Sequence, residues 1–270
     1  MGATQTEWNS PEGTSPPLTL ARPSRSFPVG EGWAWIPQGW KLFTRAPFMW
    51  ILATLILFIA YLVFAIVPFG TLVFDVLSAA IGAGFVVACR SLEQGADFEL
   101  EHLFAGFRTR FGSLVVVGAV VTVGSVAIAL ACAAIVGFSV FVPLATAINS
   151  GDPHTIWTSV VGASTTMALA VLVALALLLP LIAAYWFAPA LIIMNGLGPG
   201  EAMKQSLVGC IRNFVPFLWY GVVMLVFSII AAIPVFLGYF VLVPLMITST
   251  YAAYRRIFTQ DDAGGAPATA

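Results

Sequence analysis

An all-α, polytopic transmembrane bundle of six helices is the fold class that this sequence predicts, on three observations. Of its 270 residues, 60% are hydrophobic and only 9% charged, whereas a soluble domain is about 45–50% apolar and about 25% charged. The 11 basic residues fall into four clusters. Between the clusters lie stretches almost free of charge, each long enough for two membrane crossings. So few charges cannot coat a water-facing surface, which excludes a soluble enzyme and a disulfide-stapled secreted module. A net charge of −1 offers no basic field for nucleic acid.

The chain opens with about 30 residues rich in Pro, Ser and Thr. They contain no apolar core of a signal peptide, so insertion is expected to begin at the first span. By composition, residues 1–30 and 259–270 are expected to be disordered cytoplasmic tails around a transmembrane domain over 31–258.

Between Arg45 and Arg90 stands one charge, Asp75. As helix that gap measures about 66 Å at ~1.5 Å per residue, or two crossings of a ~30 Å hydrocarbon core. The turn signal Pro68-Phe69-Gly70 divides it into spans at about 47–67 and 71–90. Between Arg212 and Arg255 there is no charge, and Pro234 to Gly238 marks the turn. Spans are predicted there at about 213–234 and 237–255.

The middle stretch, Arg110 to Glu201, holds one charge, Asp152, inside the loop signal Asn149-Ser150-Gly151-Asp152-Pro153. Each flanking run is too long for one crossing and short for two. One crossing per run places spans at about 112–136 and 165–190, the surplus lying against or above the outer leaflet. Two short crossings per run, giving eight spans, is the alternative.

Orientation follows from the basic residues. Arg22, Arg25, Lys41 and Arg45 precede the first span, and Arg90, Arg108 and Arg110 follow the second. Lys204 and Arg212 follow the fourth, and Arg255 and Arg256 the sixth. All share one side, so both termini are expected in the cytoplasm.

Three cytoplasmic segments share a plan of amphipathic stretch, basic residue and span: GWKLFTRAPFMW (39–50), HLFAGFRTRFGSLV (102–115) and SLVGCIRNFVPFLWY (206–220). They suggest three pseudo-repeated hairpins, although aromatic and basic residues collect at membrane interfaces in any case. Small residues along Ser78–Gly84 and at Ser125, Ala129, Ala133 and Gly137 allow close helix approach, and both faces are expected at the bundle centre.

Few residues carry chemistry. Asp75 is the sole acid inside a predicted span, which makes it a candidate solute or cation site. Its place some five residues past a turn also fits an interfacial or capping role. Pro143, Pro180 and Pro189 interrupt apolar runs. They fit kinks repaired by neighbouring helices better than a broken-helix binding site. Cys89, Cys132 and Cys210 fit no metal or redox spacing and read as small buried hydrophobes. His102 and His154 fall on opposite sides of the membrane, so no metal site is expected. No nucleophile–base arrangement or phosphate loop is present; no cofactor and no enzymatic activity are expected.

The loop 90–110 is the richest cytoplasmic segment. Phe104, Phe107 and Phe111 recur at helical spacing beside Arg108 and Arg110. An amphipathic helix at the interface is expected, with Phe104, Phe107, Arg108 and Arg110 as candidate contacts to anionic lipid or to a membrane-protein partner.

The segments GWAWIPQGWKLFTRAPFMW, ACRSLEQG with HLFAGFR, and WFAPALIIMNGLGPGEAMKQSLVGCIRNFVPFLWYG resemble an uncharacterised family of proteobacterial multi-pass inner-membrane proteins, over roughly residues 30–258. The last segment is more loosely similar to the membrane domain beside some glycerophosphodiester phosphodiesterases. The chain has no room for that catalytic domain, so its activity does not carry over. The resemblance implies a six-helix fold in a bacterial inner membrane and no catalytic residues. Binding of membrane lipids or membrane-protein partners is the function expected. A transporter or channel for a small or apolar solute is the alternative.

Overall fold

A computed structural model describes residues 18–21 and 23–260. Helices form over all six predicted ranges: α2 (Pro47–Ile66), α3 (Gly70–Glu93), α5 (Phe111–Ser150), α6 (Pro153–Trp186), α9 (Phe214–Ala232) and α10 (Tyr239–Phe258). Shorter helices lie between and before them: α1 (Glu31–Phe43), α4 (Ala105–Arg108), α7 (Ala188–Asn195) and α8 (Pro199–Arg212). A 3-10 turn over Leu100–Phe104 leads into α4. Among the described residues, five helices are long and apolar enough to cross a membrane: α2, α3, α5, α6 continuing into α7, and α9. The chain is an integral, multi-pass membrane protein.

Local chemistry sets the boundaries. Pro47 and Pro153 open α2 and α6, where the missing N–H costs nothing. Asp152 caps α6 by accepting from the amides of His154 and Thr155, both at 3.2 Å. Gly151, at φ +66°, ends α5 in the left-handed conformation.

The middle hairpin departs from expectation. The span expected at 112–136 is part of a continuous helix of 40 residues, and that expected at 165–190 lies mostly in one of 34 that ends at Trp186. Neither contains the turn that a second crossing requires. Helix α5 is about 60 Å long at ~1.5 Å per residue, twice a hydrocarbon core. Nothing between Phe111 and Gly151 stops it, because Pro143 is accommodated within the helix. The two arms stay paired along their length. Gly124 faces the Leu181 side chain, and the Cys132 thiol points at the Ala170 carbonyl, 3.7 Å away.

The amphipathic segments dock on the hairpins in a regular way. The 3-10 turn and α4 lie on α3, α8 lies on α6, and α1 lies on α10. Contact is close enough to require glycine: a Cβ on Gly106 would stand 2.2 Å from the Ala80 carbonyl oxygen. Where α5 crosses α3, a Cβ on Gly118 would stand 2.0 Å from the Val76 oxygen. On α3 the expected small-residue face is buried, with Ala79, Ala80 and Ala83 fully enclosed. On α5 it is not. Ala129 and Ala133 are exposed, because the outer part of α5 has only α6 beside it.

The tightest packing lies at the end where the basic residues gather. Trp35, Trp50, Phe187, Tyr254 and Phe258 are fully buried. Elsewhere large apolar side chains such as Ile59, Leu130 and Leu225 face outward, as lipid contact demands.

Of the tails expected over 1–30 and 259–270, residues 1–17, Arg22 and 261–270 lie outside the described residues. Residues 18–21 and 23–28 form a non-helical strap across the base. The amide of Ala21 donates to the Phe258 oxygen at 2.8 Å, and that of Arg25 to the Ile257 oxygen at 3.0 Å. Fully buried Asn213, at the start of α9, donates from Nδ2 to the Arg25 oxygen and accepts from the Phe27 amide. Such backbone pairing gives a polar segment the partners that composition alone does not reveal.

Candidate functional site

Two cavities lie on different faces of α3. The larger, about 740 Å³, opens between α2, α3 and α10. Helix α2 supplies Thr54, Leu57, Phe58 and Tyr61, a spacing that places them on one helix face. Phe74 comes from α3, and Tyr239, Phe240 and Val243 from α10. The α9–α10 turn closes one rim with Val235, Phe236 and Leu237. Aromatic rings define the walls: Tyr61 meets Phe74 edge-on at 5.4 Å, and Phe58 meets Phe240 at 6.3 Å. The Thr54 hydroxyl is turned back to the Trp50 carbonyl at 2.9 Å. The polar contribution is then chiefly the Tyr61 and Tyr239 hydroxyls. Such a volume and lining match sites that take apolar ligands.

The rim is strained. Val235 and Phe236 hold φ at +51° and +63°, a region that costs L-residues energy and a β-branched one most.

The smaller cavity, about 180 Å³, lies where α3, α5 and α6 meet. It contains Asp75. Exposed Asp75 lines it together with Ser78, Thr122, Ser125 and Tyr185, which bear hydroxyls, and with Leu72, Val121 and Val126 as apolar walls. Ser78 donates to the Asp75 carbonyl at 2.6 Å, and its oxygen stands 2.8 Å from the Tyr185 hydroxyl.

At the end of the bundle where the basic residues gather, Glu93 ties α3 to α10. It accepts from the Tyr251 hydroxyl at 2.6 Å, from Arg255 Nε at 3.0 Å and from Arg90 at 2.8 Å. Beside it the Tyr254 hydroxyl donates to Asn195 Oδ1 at 2.6 Å.

The remaining candidates divide. Phe107 stacks between Phe104 and Phe111, with centroids 6.4 and 5.7 Å away. Phe104 is exposed. Arg108 pairs with Glu101, and this hydrogen bond and charge hold the Glu101 carboxyl below its ordinary range. Arg110 turns toward Gly196. The expected interfacial helix is broken into the 3-10 turn and one α-helical turn, because the Glu99 carboxylate and His102 ring cap the segment locally. Asp75 lies toward the other end of α3, so it forms no common site with these residues.

The prolines are repaired. Pro143 and Pro180 sit inside continuous helices. At the break before Pro189, the Ser206 hydroxyl donates to the Ala183 carbonyl at 2.6 Å and accepts from the Phe187 amide at 3.0 Å. It thereby stands in for the lost helical bond. No group of three or more His, Cys, Asp or Glu residues able to hold a metal exists among the described residues. The three cysteines are free thiols.

Sequence reasoning missed the large cavity and the polar company of Asp75. Phe58 and Tyr61, three apart on α2, were the legible trace of the first. Tyr185 joins the second by meeting Ser78, 107 positions away, with no sequence signal.

Among curated proteins, the chain is similar to a probable inner membrane protein of Burkholderia thailandensis, 27% identical over 258 residues, which span 86% of this chain and 93% of that protein. No protein-family model matches the chain. No solved structure matches it.

Proposed function

We propose that this chain is a non-enzymatic inner-membrane protein that binds lipid through the aromatic cleft between α2, α3 and α10. The cleft carries this reading. It is large, walled by aromatic rings and nearly free of polar groups, which suits an acyl chain and little else. The strained turn at its rim is where binding sites characteristically hold unfavourable backbone.

The membrane assignment extends to six spans. Helix α10 is 20 residues long but less apolar than the others. It packs against α1, α2, α3 and α9, and a helix enclosed by protein needs no lipid-compatible surface all round. Both termini are assigned to the cytoplasm by the one-sided basic residues, and the inner membrane by the printed description of the Burkholderia relative. The docking pattern supports a three-hairpin pseudo-repeat: each amphipathic segment lies on the second helix of the preceding hairpin, and α1 closes the ring on α10. The looser similarity to the phosphodiesterase-associated membrane domain has no support among the relatives found.

Phe104, Phe107, Arg108 and Arg110 are assigned to contact with lipid headgroups or a membrane-protein partner. No cofactor, metal or nucleic acid belongs to this reading. Transport of a small or apolar solute is the second reading, favoured by the Asp75 cavity. Lipid extraction and mass spectrometry of the purified protein test the first: bound lipid in the wild type that is lost when Val243→Trp fills the cleft.

A further inference from the structure

We infer that the cavity at the α3–α5–α6 junction is a binding site for a small monovalent metal cation, with Asp75 as its anionic ligand. The donor set is the first ground. One acid, Asp75, and four hydroxyl-bearing residues, Ser78, Thr122, Ser125 and Tyr185, line a single cavity from three helices. Oxygen donors of this kind select hard cations over soft ones.

Charge is the second ground. None of the cavity's lining residues is basic. The chain has no Lys or Arg between Arg45 and Arg90 or between Arg110 and Lys204, so α3, α5 and α6 bring no counter-charge to the cavity. Asp75 is exposed, so an ion can reach its carboxylate from outside the bundle. One negative charge among neutral hydroxyls matches one positive charge. A divalent ion ordinarily gathers more carboxylates.

Size is the third ground. About 180 Å³ holds an ion with a few waters, each occupying ~30 Å³, and excludes a lipid. The Ser78–Tyr185 contact at 2.8 Å fixes one wall across two helices, so part of the oxygen set is already in place before an ion arrives. This site stands apart from the lipid cleft, which uses Phe74 on another face of α3.

The test uses the full chain in detergent or nanodiscs. Its unfolding midpoint is titrated with sodium, lithium or potassium chloride against choline chloride at equal ionic strength. A ligand that binds only the folded state raises the midpoint saturably. The expected result is a saturable rise with at least one metal cation and none with choline. Asp75→Asn should raise the half-saturating concentration about ten-fold or more, through loss of the formal charge. Thr122→Val should weaken it less while leaving the midpoint in choline unchanged. If Asp75→Asn fails to fold, Thr122→Val alone decides, since it keeps the charge and removes one oxygen. Equal midpoints in all four salts, or a cation response that survives both variants, would overturn the proposal. A midpoint that follows pH alike in every salt would do the same, because the carboxylate would then hold a proton. Lipid carriage by Asp75→Asn should remain that of the wild type, which separates failure here from failure of the lipid reading.

Discussion

Phe58 on α2 and Phe240 on α10 meet edge to face, with ring centroids 6.3 Å apart and planes at 82°. This is a favoured aromatic geometry, worth roughly 0.5–1.5 kcal/mol beyond buried area. It adds a ring contact between two helices that both line the cleft. The two rings belong to hairpins at opposite ends of the chain, so the cleft exists only once the bundle has closed. Phe240→Ala removes a wall of the cleft and this contact. The variant should lose about 1–3 kcal/mol of stability, since Phe240 is only partly buried, and should carry less lipid. Denaturant titration with lipid counting checks both.

Glu93 is the hinge pin of the base. Replacing it with Ala strands Tyr251 and loosens two arginines at once. Its side chain is 31% exposed, which discounts the figures for fully buried pairs. A loss of about 2 kcal/mol is expected, read as a lower unfolding midpoint. A variant as stable as wild type would show that the three contacts contribute nothing net.

Ser206 bridges Ala183 and Phe187 where α6 gives way to α7. Ser206→Ala leaves the buried Phe187 amide unpaired and the Ala183 carbonyl with only the weak Cys210 thiol donor, and should cost about 1–3 kcal/mol. Ser206→Thr keeps the hydroxyl and should recover most of that loss. Thermal unfolding of the two variants side by side measures the difference.

Cys210, on α8, points its thiol at the Ala183 carbonyl at 3.5 Å. Burial is the chief cause that pushes this thiol up to about 12, against a smaller opposing pull from Ser206. A raised value means the thiol stays protonated and unreactive through neutral pH, and the thiolate appears only as pH approaches 12. Maleimide labelling mapped by peptide mass should therefore leave Cys210 unmodified at pH 8. Labelling there at the rate of a free thiol would contradict the packing of α8 on α6.

Reporter fusions test the orientation. A reporter inserted at Gly151 and one placed after Phe258 should report opposite sides of the membrane, the second cytoplasmic. Both on one side would leave an even number of crossings between them and remove α10 as a span.

The course of the chain through the membrane was legible because charge is so costly there that its absence measures distance. The gap from Arg45 to Arg90 contains α2 and most of α3, and the gap from Arg212 to Arg255 contains α9 and most of α10. The same reasoning misjudged α5 and α6, because hydrocarbon thickness sets the shortest useful helix and not the longest. What touches what was not legible. Glu93 and Tyr251 are 158 positions apart, and Asn213 reaches a strap 188 positions back. Asp75 was legible as an isolated charge, whereas Thr122 and Tyr185 read as ordinary residues of apolar spans until α3, α5 and α6 were brought together.

The central claim is that the aromatic cleft holds lipid. Native mass spectrometry of the full chain, released from nanodiscs, measures it directly by comparing the wild type with Val243→Trp. The indole has about 740 Å³ of space to enter, so the variant should fold normally. A lipid adduct on the wild type, lost or several-fold weaker in the variant, is the result predicted. An equal lipid load on both proteins, each folded, would contradict it.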